Sequence, residues 1–277
     1  MEEQESANVS EAKQEVASEG RYLYCVVSSS SNTDFGDMGI DDSSVYTIIY
    51  KDIGAVVHKC CAKPYESKNE QTVKEWILAH QYIIDEASKK FGTVIPFSFD
   101  TIIKGNEGKV QEWLKEEYHV LKDKLKKLKD KAEYTVQIFC DKAVMMEKIG
   151  ENNPELKKLK EDIKTKPKGM AYMLNKKLEA KTKDIFIDLL NKHAKDFHAQ
   201  IKNYVDDLKV ESTKKPVPEK WKRKQMIVNL SCLVDKDKVE KLGKTLGEIN
   251  KKKEFSVRFT GPWAPFSFAG EIGGSKK

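Results

Sequence analysis

Met226-Ile227-Val228-Asn229-Leu230-Ser231-Cys232-Leu233-Val234-Asp235 is the stretch on which the fold turns. Met226, Val228, Leu230, Cys232 and Val234 recur at every second position, and Ile227 and Leu233 put apolar groups on the other face too. That is the pattern of a strand with neighbours on both sides. Asp235 is a suitable N-cap for a helix striped by Val239, Leu242, Leu246 and Ile249. Gly243 and Gly247 within it predict a helix pressed closely on a sheet. Phe255, Val257 and Phe259 then alternate with Ser256, Arg258 and Thr260, so a second strand closes a strand–helix–strand unit.

Working backwards, residues 209–224 are polar and basic and contain Pro216 and Pro218, which predicts a loop. Before them, Leu174, Leu178, Ile185, Leu189, Phe197, Ile201 and Val205 fit one stripe of a long helix that starts after Gly169. Leu156, Leu159 and Ile163 mark a short helix closed by Lys166-Pro167. Tyr134, Val136, Ile138 and Cys140 alternate as a strand. Val110, Leu114, Tyr118, Leu121, Leu125 and Leu128 predict a single amphipathic helix. Val73, Trp76, Ile77, His80, Ile84, Ala87 and Phe91 predict another, ended by Gly92. Residues 93–99 read as a strand, and Pro96 points to an edge or a bulge because proline cannot donate to a ladder. Residues 22–27, 45–50 and 53–57 read as strands, with Lys51-Asp52 as a hairpin turn.

These elements predict an α+β chain of two domains. An α+β N-terminal domain covers residues 21–141. Long helices and a modified ferredoxin-like C-terminal domain cover 142–260. Residues 1–20, acidic and poor in bulky apolar groups, are expected to form a disordered arm. Residues 261–277 form a tail rich in proline and aromatic residues, expected to pack on the body and end in a flexible terminus.

Composition narrows the function. Hydrophobic residues make up 39% of the 277, enough for two modest cores, so the chain is globular. The net charge is +6, but Arg21, Arg223 and Arg258 are the only arginines. Lysine interleaved with glutamate is a solvated surface more often than a phosphate-reading one, because lysine lacks the bidentate fork. The five cysteines are odd in number and form no C-x-x-C, consistent with buried free thiols in a reducing compartment. No run approaches the length of a membrane span, and the acidic N-terminal stretch is unlike a signal peptide. The expected location is the cytoplasm.

Motifs for catalysis or cofactor binding are missing from the sequence. There is no phosphate-cradling glycine loop, no H-E-x-x-H and no G-x-S-x-G. His58 with Cys60 and Cys61 is the best metal candidate, but a zinc site normally needs four ligands and no second cluster is near in sequence. A strand-end histidine beside thiols is the simpler account. His80 lies on the apolar stripe of its helix and reads as a core histidine. No catalytic residue, cofactor or metal is assigned. A ferredoxin-like nucleic-acid module is the rival reading, but it would need an RNP-type motif with aromatics on adjacent central strands, and the strands near Met226 and Phe255 show none.

The last strand runs into Gly261-Pro262-Trp263-Ala264-Pro265-Phe266-Ser267-Phe268-Ala269. Two prolines, a tryptophan and two phenylalanines predict neither helix nor ladder strand. So much apolar surface is expected to be packed down, on this chain or on a partner. The segment resembles the G-P-W-P-P-Y-S-F signature that closes the gas-vesicle proteins of the GvpF/GvpL family. Further blocks resemble that family in order: Arg21-Tyr22-Leu23-Tyr24-Cys25-Val26-Val27, Asp52-Ile53-Gly54-Ala55-Val56-Val57, and His80 followed by Thr93-Val94-Ile95-Pro96-Phe97-Ser98-Phe99-Asp100-Thr101. Lys168-Gly169-Met170-Ala171-Tyr172-Met173-Leu174 and Asn229-Leu230-Ser231-Cys232-Leu233-Val234-Asp235 complete the series. Ser98 and Asp100 stand where the family usually has Arg and Gly.

The resemblance implies an α+β N-terminal domain joined to a modified ferredoxin-like domain and a role in gas vesicle formation. It also implies association with the major shell protein GvpA and other accessory proteins, with no established catalysis. Location would be the cytoplasm and the gas vesicle, at its surface or assembly site. Gly261, Pro262, Trp263, Pro265, Phe266 and Phe268 are the candidate clasp or partner-binding residues. Burial of the tryptophan as a structural clasp is the favoured expectation, and contact with a partner the alternative.

Overall fold

The computed structural model describes residues 18–270, which fold as two compact units that divide between Leu125 and Lys126. The first contains β1 (Glu19–Ser28), β2 (Asp34–Gly36), β3 (Val45–Tyr50), β4 (Ile53–Cys61), α1 (Glu70–Phe91), β5 (Val94–Pro96), β6 (Ile102–Lys104) and α2 (Glu107–Glu116). Then α3 (Tyr118–Leu128) carries the chain across the divide. The first sheet has the order β2-β3-β4-β1-β5, with β6 also on β1. Its expected hairpin is present: Tyr50 pairs with Ile53 around Lys51-Asp52. Pro96 lies on β5, an edge strand as expected. Gly92 closes α1 at φ +82°, a conformation glycine adopts without a Cβ penalty.

Three expectations for this unit change. Residues 1–17 of the acidic arm lie outside the described residues, but its last residues are sheet, since β1 opens at Glu19. The Ala62 N–H donates to the Ser18 carbonyl at 2.7 Å, and Arg21 pairs with Glu19 at 3.0 Å. The single helix expected over 110–128 is two, because α2 ends at Glu116 and the N–H of its C-cap, Glu117, donates to the Trp113 carbonyl. Both pieces carry the same apolar stripe, so periodicity does not reveal the break. Finally, Ile77 is exposed while Ile83 is buried, which rotates the α1 core face toward its C-terminal half.

The second unit contains β7 (Lys131–Cys140), α4 (Lys142–Asn152), α5 (Pro154–Thr165), α6 (Lys168–Lys202), β8 (Asp207–Val210), β9 (Gln225–Asp235), α7 (Val239–Asn250), β10 (Phe255–Trp263) and α8 (Phe266–Ala269). Its sheet runs β10-β7-β9-β8, antiparallel throughout. Counted within the unit, that is the 4-1-3-2 order of a split β-α-β fold, with three helices in the first crossover instead of one. Its core joins Val136, Ile138 and Cys140 of β7 to Val228, Leu230 and Cys232 of β9, under Phe186, Leu190 and Phe197 of α6 and Leu242 and Leu246 of α7.

This corrects the boundary expected at 141. The strand at 131–140 is central to the second sheet, paired with β9 and β10, so the N-terminal domain ends before it. Alternation marks a strand but not the sheet it joins. The loop expected over 209–224 also begins as sheet: Leu208, Lys209 and Val210 pair with Cys232, Ser231 and Leu230. Gly243 and Gly247 touch nothing where a Cβ would be, so no close helix–sheet approach requires them. α4 carries little stripe of its own and is fixed by its ends. Asp141 accepts from the Ala143 and Val144 N–H groups, and Asn153 accepts from those of Glu155 and Leu156 to start α5. No helix among the described residues is long and apolar enough to cross a membrane.

Candidate functional site

The tail is seated on the second sheet. β10 pairs with β7 as far as Thr260 opposite Thr135, skips a step, and pairs Trp263 with Glu133. Gly261, at φ +135°, occupies the skip, and the Gly261-Pro262 peptide is cis. A Cβ on Gly261 would lie 2.8 Å from the Glu133 carbonyl oxygen and 2.7 Å from the Tyr134 ring, so only glycine fits. Ala264 and Pro265 are buried, and one turn of helix, Phe266–Ala269, follows. The expectation that the tail is neither ladder strand nor helix is therefore corrected. The skip at the glycine accommodates the proline, and the segment after Pro265 is free to coil.

What holds this turn is Ser267, which lies outside the six candidate residues of the tail. Its backbone N–H and its hydroxyl donate to the two carboxylate oxygens of Glu133, at 2.8 and 2.6 Å. Glu133 is 7% exposed, and a buried carboxylate is costly unless hydrogen-bonded. Ala269 is buried, Phe266 and Phe268 are half-buried, and the Lys209 ammonium stands 5.9 Å from the Phe268 ring centroid. Gly261, Pro262 and Trp263 stay exposed, Trp263 by 47%. The six candidate residues thus divide: Pro265, Phe266 and Phe268 pack down, while Gly261, Pro262 and Trp263 face outward. The signal for Ser267 and Glu133 was a carboxylate at the start of an apolar strand, which alone names no partner.

On the face of the same sheet away from α6 and α7 a polar ladder, largely buried, crosses three strands. The Arg258 guanidinium donates to Gln137 at 2.8 Å, the Gln137 amide to Asn229 at 3.2 Å, and the Asn229 amide to the Ser212 carbonyl at 2.7 Å. Farther along, Phe139 stacks on Trp221 with centroids 4.6 Å apart. The positions an RNP-type module would fill with exposed aromatics hold Thr135, Gln137, Asn229 and Ser231.

In the first unit, the blocks at 21–27, 80 and 93–101 converge on a buried aromatic network. The Phe97 carbonyl accepts from His80 Nε2 at 3.1 Å, which puts the ring proton on Nε2. His80 Nδ1 therefore accepts from the Tyr22 hydroxyl at 2.9 Å, whose oxygen in turn takes the Asp100 N–H at 3.0 Å. β1 bulges at Tyr24, between the Leu23 and Cys25 pairs. The bulge aims that side chain at His58 Nδ1, 2.8 Å away, and the Tyr65 hydroxyl lies 2.9 Å from Nε2. Both nitrogens of His58 are engaged, so it does not direct a lone pair toward Cys60 or Cys61. No group of three or more metal-ligating side chains gathers among the described residues.

Burial sets the chemistry of these groups. It lowers His58 and His80 to about 4, so both are neutral near pH 7. It pushes Cys60 and Cys140 up to about 11 and Cys232 to about 12, which keeps these three thiols protonated and poorly nucleophilic. The phenols of Tyr22 and Tyr24 are raised by the same cause. The network ties β1, β4, α1 and the 97–101 loop together and holds its side chains neutral.

The comparisons with known proteins agree with this architecture. Residues 20–270 match the family model of the gas vesicle synthesis protein GvpL/GvpF. Gas vesicle protein L1 of Halobacterium salinarum is 32% identical over 276 residues, covering 98% of this chain and 96% of the relative. Gas vesicle protein L of Haloferax mediterranei is 28% identical, covering 98% and 94%. The crystal structure of gas vesicle protein GvpF from Anabaena superposes with a TM-score of 0.70 at 18% identity, over 92% of this chain and all of that one. GvpF from Microcystis aeruginosa gives 0.62, also at 18% identity, over 91% and 99%. By the match across both units and the identity to the haloarchaeal relatives, the chain belongs to the GvpL/GvpF family of gas vesicle synthesis proteins.

Proposed function

We propose that this chain is a cytoplasmic assembly factor that binds the major gas vesicle shell protein, GvpA, together with other accessory proteins, and acts without catalysis or cofactor. One observation carries the reading to a surface: Trp263 stands 47% exposed on a tail whose flanking residues are fixed by buried contacts. A large aromatic on a rigid support loses little conformational freedom on docking, which suits it to anchor an interface. A small, apolar shell protein that self-assembles through β-structure has apolar faces and strand edges to offer such a factor. Covering them would hold the shell protein back or seed its assembly.

The absence of catalysis rests on the same chemistry. Burial holds the Cys60, Cys140 and Cys232 thiols protonated, His58 and His80 are neutral with both ring nitrogens engaged, and no catalytic motif is present. A nucleic-acid role finds no exposed aromatic platform on the sheet face away from α6 and α7, where Gln137, Asn229 and Ser231 are buried. Purified chain mixed with purified shell protein is expected to retain it on an affinity resin, and Trp263→Ala is expected to weaken capture about tenfold or more. Failure of the wild-type chain to retain the shell protein would overturn the proposal.

A further inference from the structure

In the second unit, β8 and β9 differ in length. β8 pairs with residues 230–233 of β9, the Glu211 N–H adds a bond to the Asn229 carbonyl at 2.8 Å, and the chain then leaves the sheet. β9 begins at Gln225; among the described residues Gln225, Met226 and Val228 have a strand partner only in β7, and Ile227 stands at the bulge between them. Their other side is an unpaired edge, a template for one more extended segment.

Beside that edge lies a groove of about 340 Å3, bounded by Ala194, Lys195 and His198 of α6, by Val210 and Thr213, and by Ile227 of β9. Its apolar content includes Val210, 72% exposed at the point where β8 stops. Lys195 borders it, and Lys214, on the segment after β8, follows Thr213 of its border; both are exposed and form no ion pair among the described residues. The two carboxylates of that segment, Glu211 and Glu219, are already taken by Lys215 and Lys222.

We propose that this groove docks an extended, acidic segment of a partner polypeptide, lying along residues 225–228 of β9 as a continuation of the line of β8. Backbone bonds to the free edge would supply affinity. Alternate apolar side chains would fill the space between Val210, Ile227 and Ala194, and carboxylates would meet Lys195 and Lys214. An extended chain is favoured over a helix because only an extended backbone can reach the edge groups while keeping one face in the groove. The inference rests on reading the chain as a partner-binding factor, but its test does not depend on the shell protein.

The test uses the full chain and a labelled short peptide of alternating valine and glutamate, followed by fluorescence anisotropy. Controls are the valine–lysine peptide, the valine–glutamate peptide N-methylated on alternate amides, and a labelled single-stranded RNA. The valine–glutamate peptide is expected to bind, more weakly at high salt. N-methylation and Lys195→Glu are each expected to weaken it about tenfold or more. Because Lys195 is exposed, the variant should melt with the wild type. No binding of this peptide, equal binding of the lysine or N-methylated peptide, or equal binding by Lys195→Glu would overturn the proposal. So would tighter, Lys195-dependent binding of the RNA, which would assign the groove to a phosphate backbone. Loss of shell-protein capture with peptide binding intact would count against the assembly-factor reading alone.

Discussion

Ser267 binds both oxygens of the Glu133 carboxylate, one through its backbone N–H and one through its hydroxyl, and so fastens the C-terminal tail to the first turn of pairing between β7 and β10. The carboxylate is buried and forms no ion pair among the described residues, so Ser267 supplies its stabilising bonds. Ser267→Ala removes the hydroxyl donor to a charged group and is expected to cost about 1.5–3 kcal/mol. Urea unfolding of the two proteins measures the difference. An unchanged midpoint would mean that the tail is held by its apolar contacts alone.

The glycines separate into two kinds with opposite expected outcomes. Gly243→Ala and Gly247→Ala each place a methyl group in open space inside α7 and should stabilise the protein by about 0.5–1 kcal/mol. Gly261→Ala forces a Cβ to within 2.8 Å of a backbone oxygen at a left-handed φ and should destabilise it. Thermal melts of the three variants give the signs directly. A fall on both α7 substitutions would show that those glycines have a contact of their own.

Acid should weaken the first unit over a defined range. His58 and His80 titrate near 6.5 when unfolded and about 4 when folded, because burial disfavours their charged forms. The unfolded chain therefore binds the extra protons first. Their contribution is complete above about pH 6.5 and is lost as the pH falls toward 4, by up to roughly 3 kcal/mol for each ring. Unfolding free energies at pH 7, 5.5 and 4.5 should decline, and His80→Asn should flatten the decline. An identical slope in that variant would place the acid sensitivity elsewhere.

Limited trypsin digestion should nick the segment after β8 in its middle and spare its ends. Lys209 is paired in the sheet and the Lys224 ammonium donates to Ser256 at 2.7 Å, with Trp221 stacked on Phe139. Lys214 and Lys220 are exposed, and Pro216 protects the bond after Lys215. Early cleavage at Lys209 would contradict the pairing of β8 with β9.

Much of this architecture was legible in local pattern. The alternation at 226–234, the stripe of α7 and the hairpin at Lys51-Asp52 each depend on near neighbours in sequence, and each is present. What pattern could not supply was the choice of long-range partner. β7 alternates as well as any strand here, but only its pairing with β9, 90 or so residues later in the chain, assigns it to the second sheet. Glu133 and Ser267 failed to announce themselves for the same reason: neither residue suggests the other until the fold brings them together. Burial of Trp263 was expected from its size. The skip at Gly261 instead turns the ring outward while Ala264 and Pro265 take the buried positions.

The most direct test of the assembly role is complementation in a vesicle-forming cell that lacks this gene and any related copy, with intact vesicles scored by electron microscopy. The proposed role requires no vesicles without the chain, recovery with the wild type, and failure of Trp263→Ala to restore them although that variant accumulates and melts like the wild type. Normal vesicles in the deletion strain would contradict it.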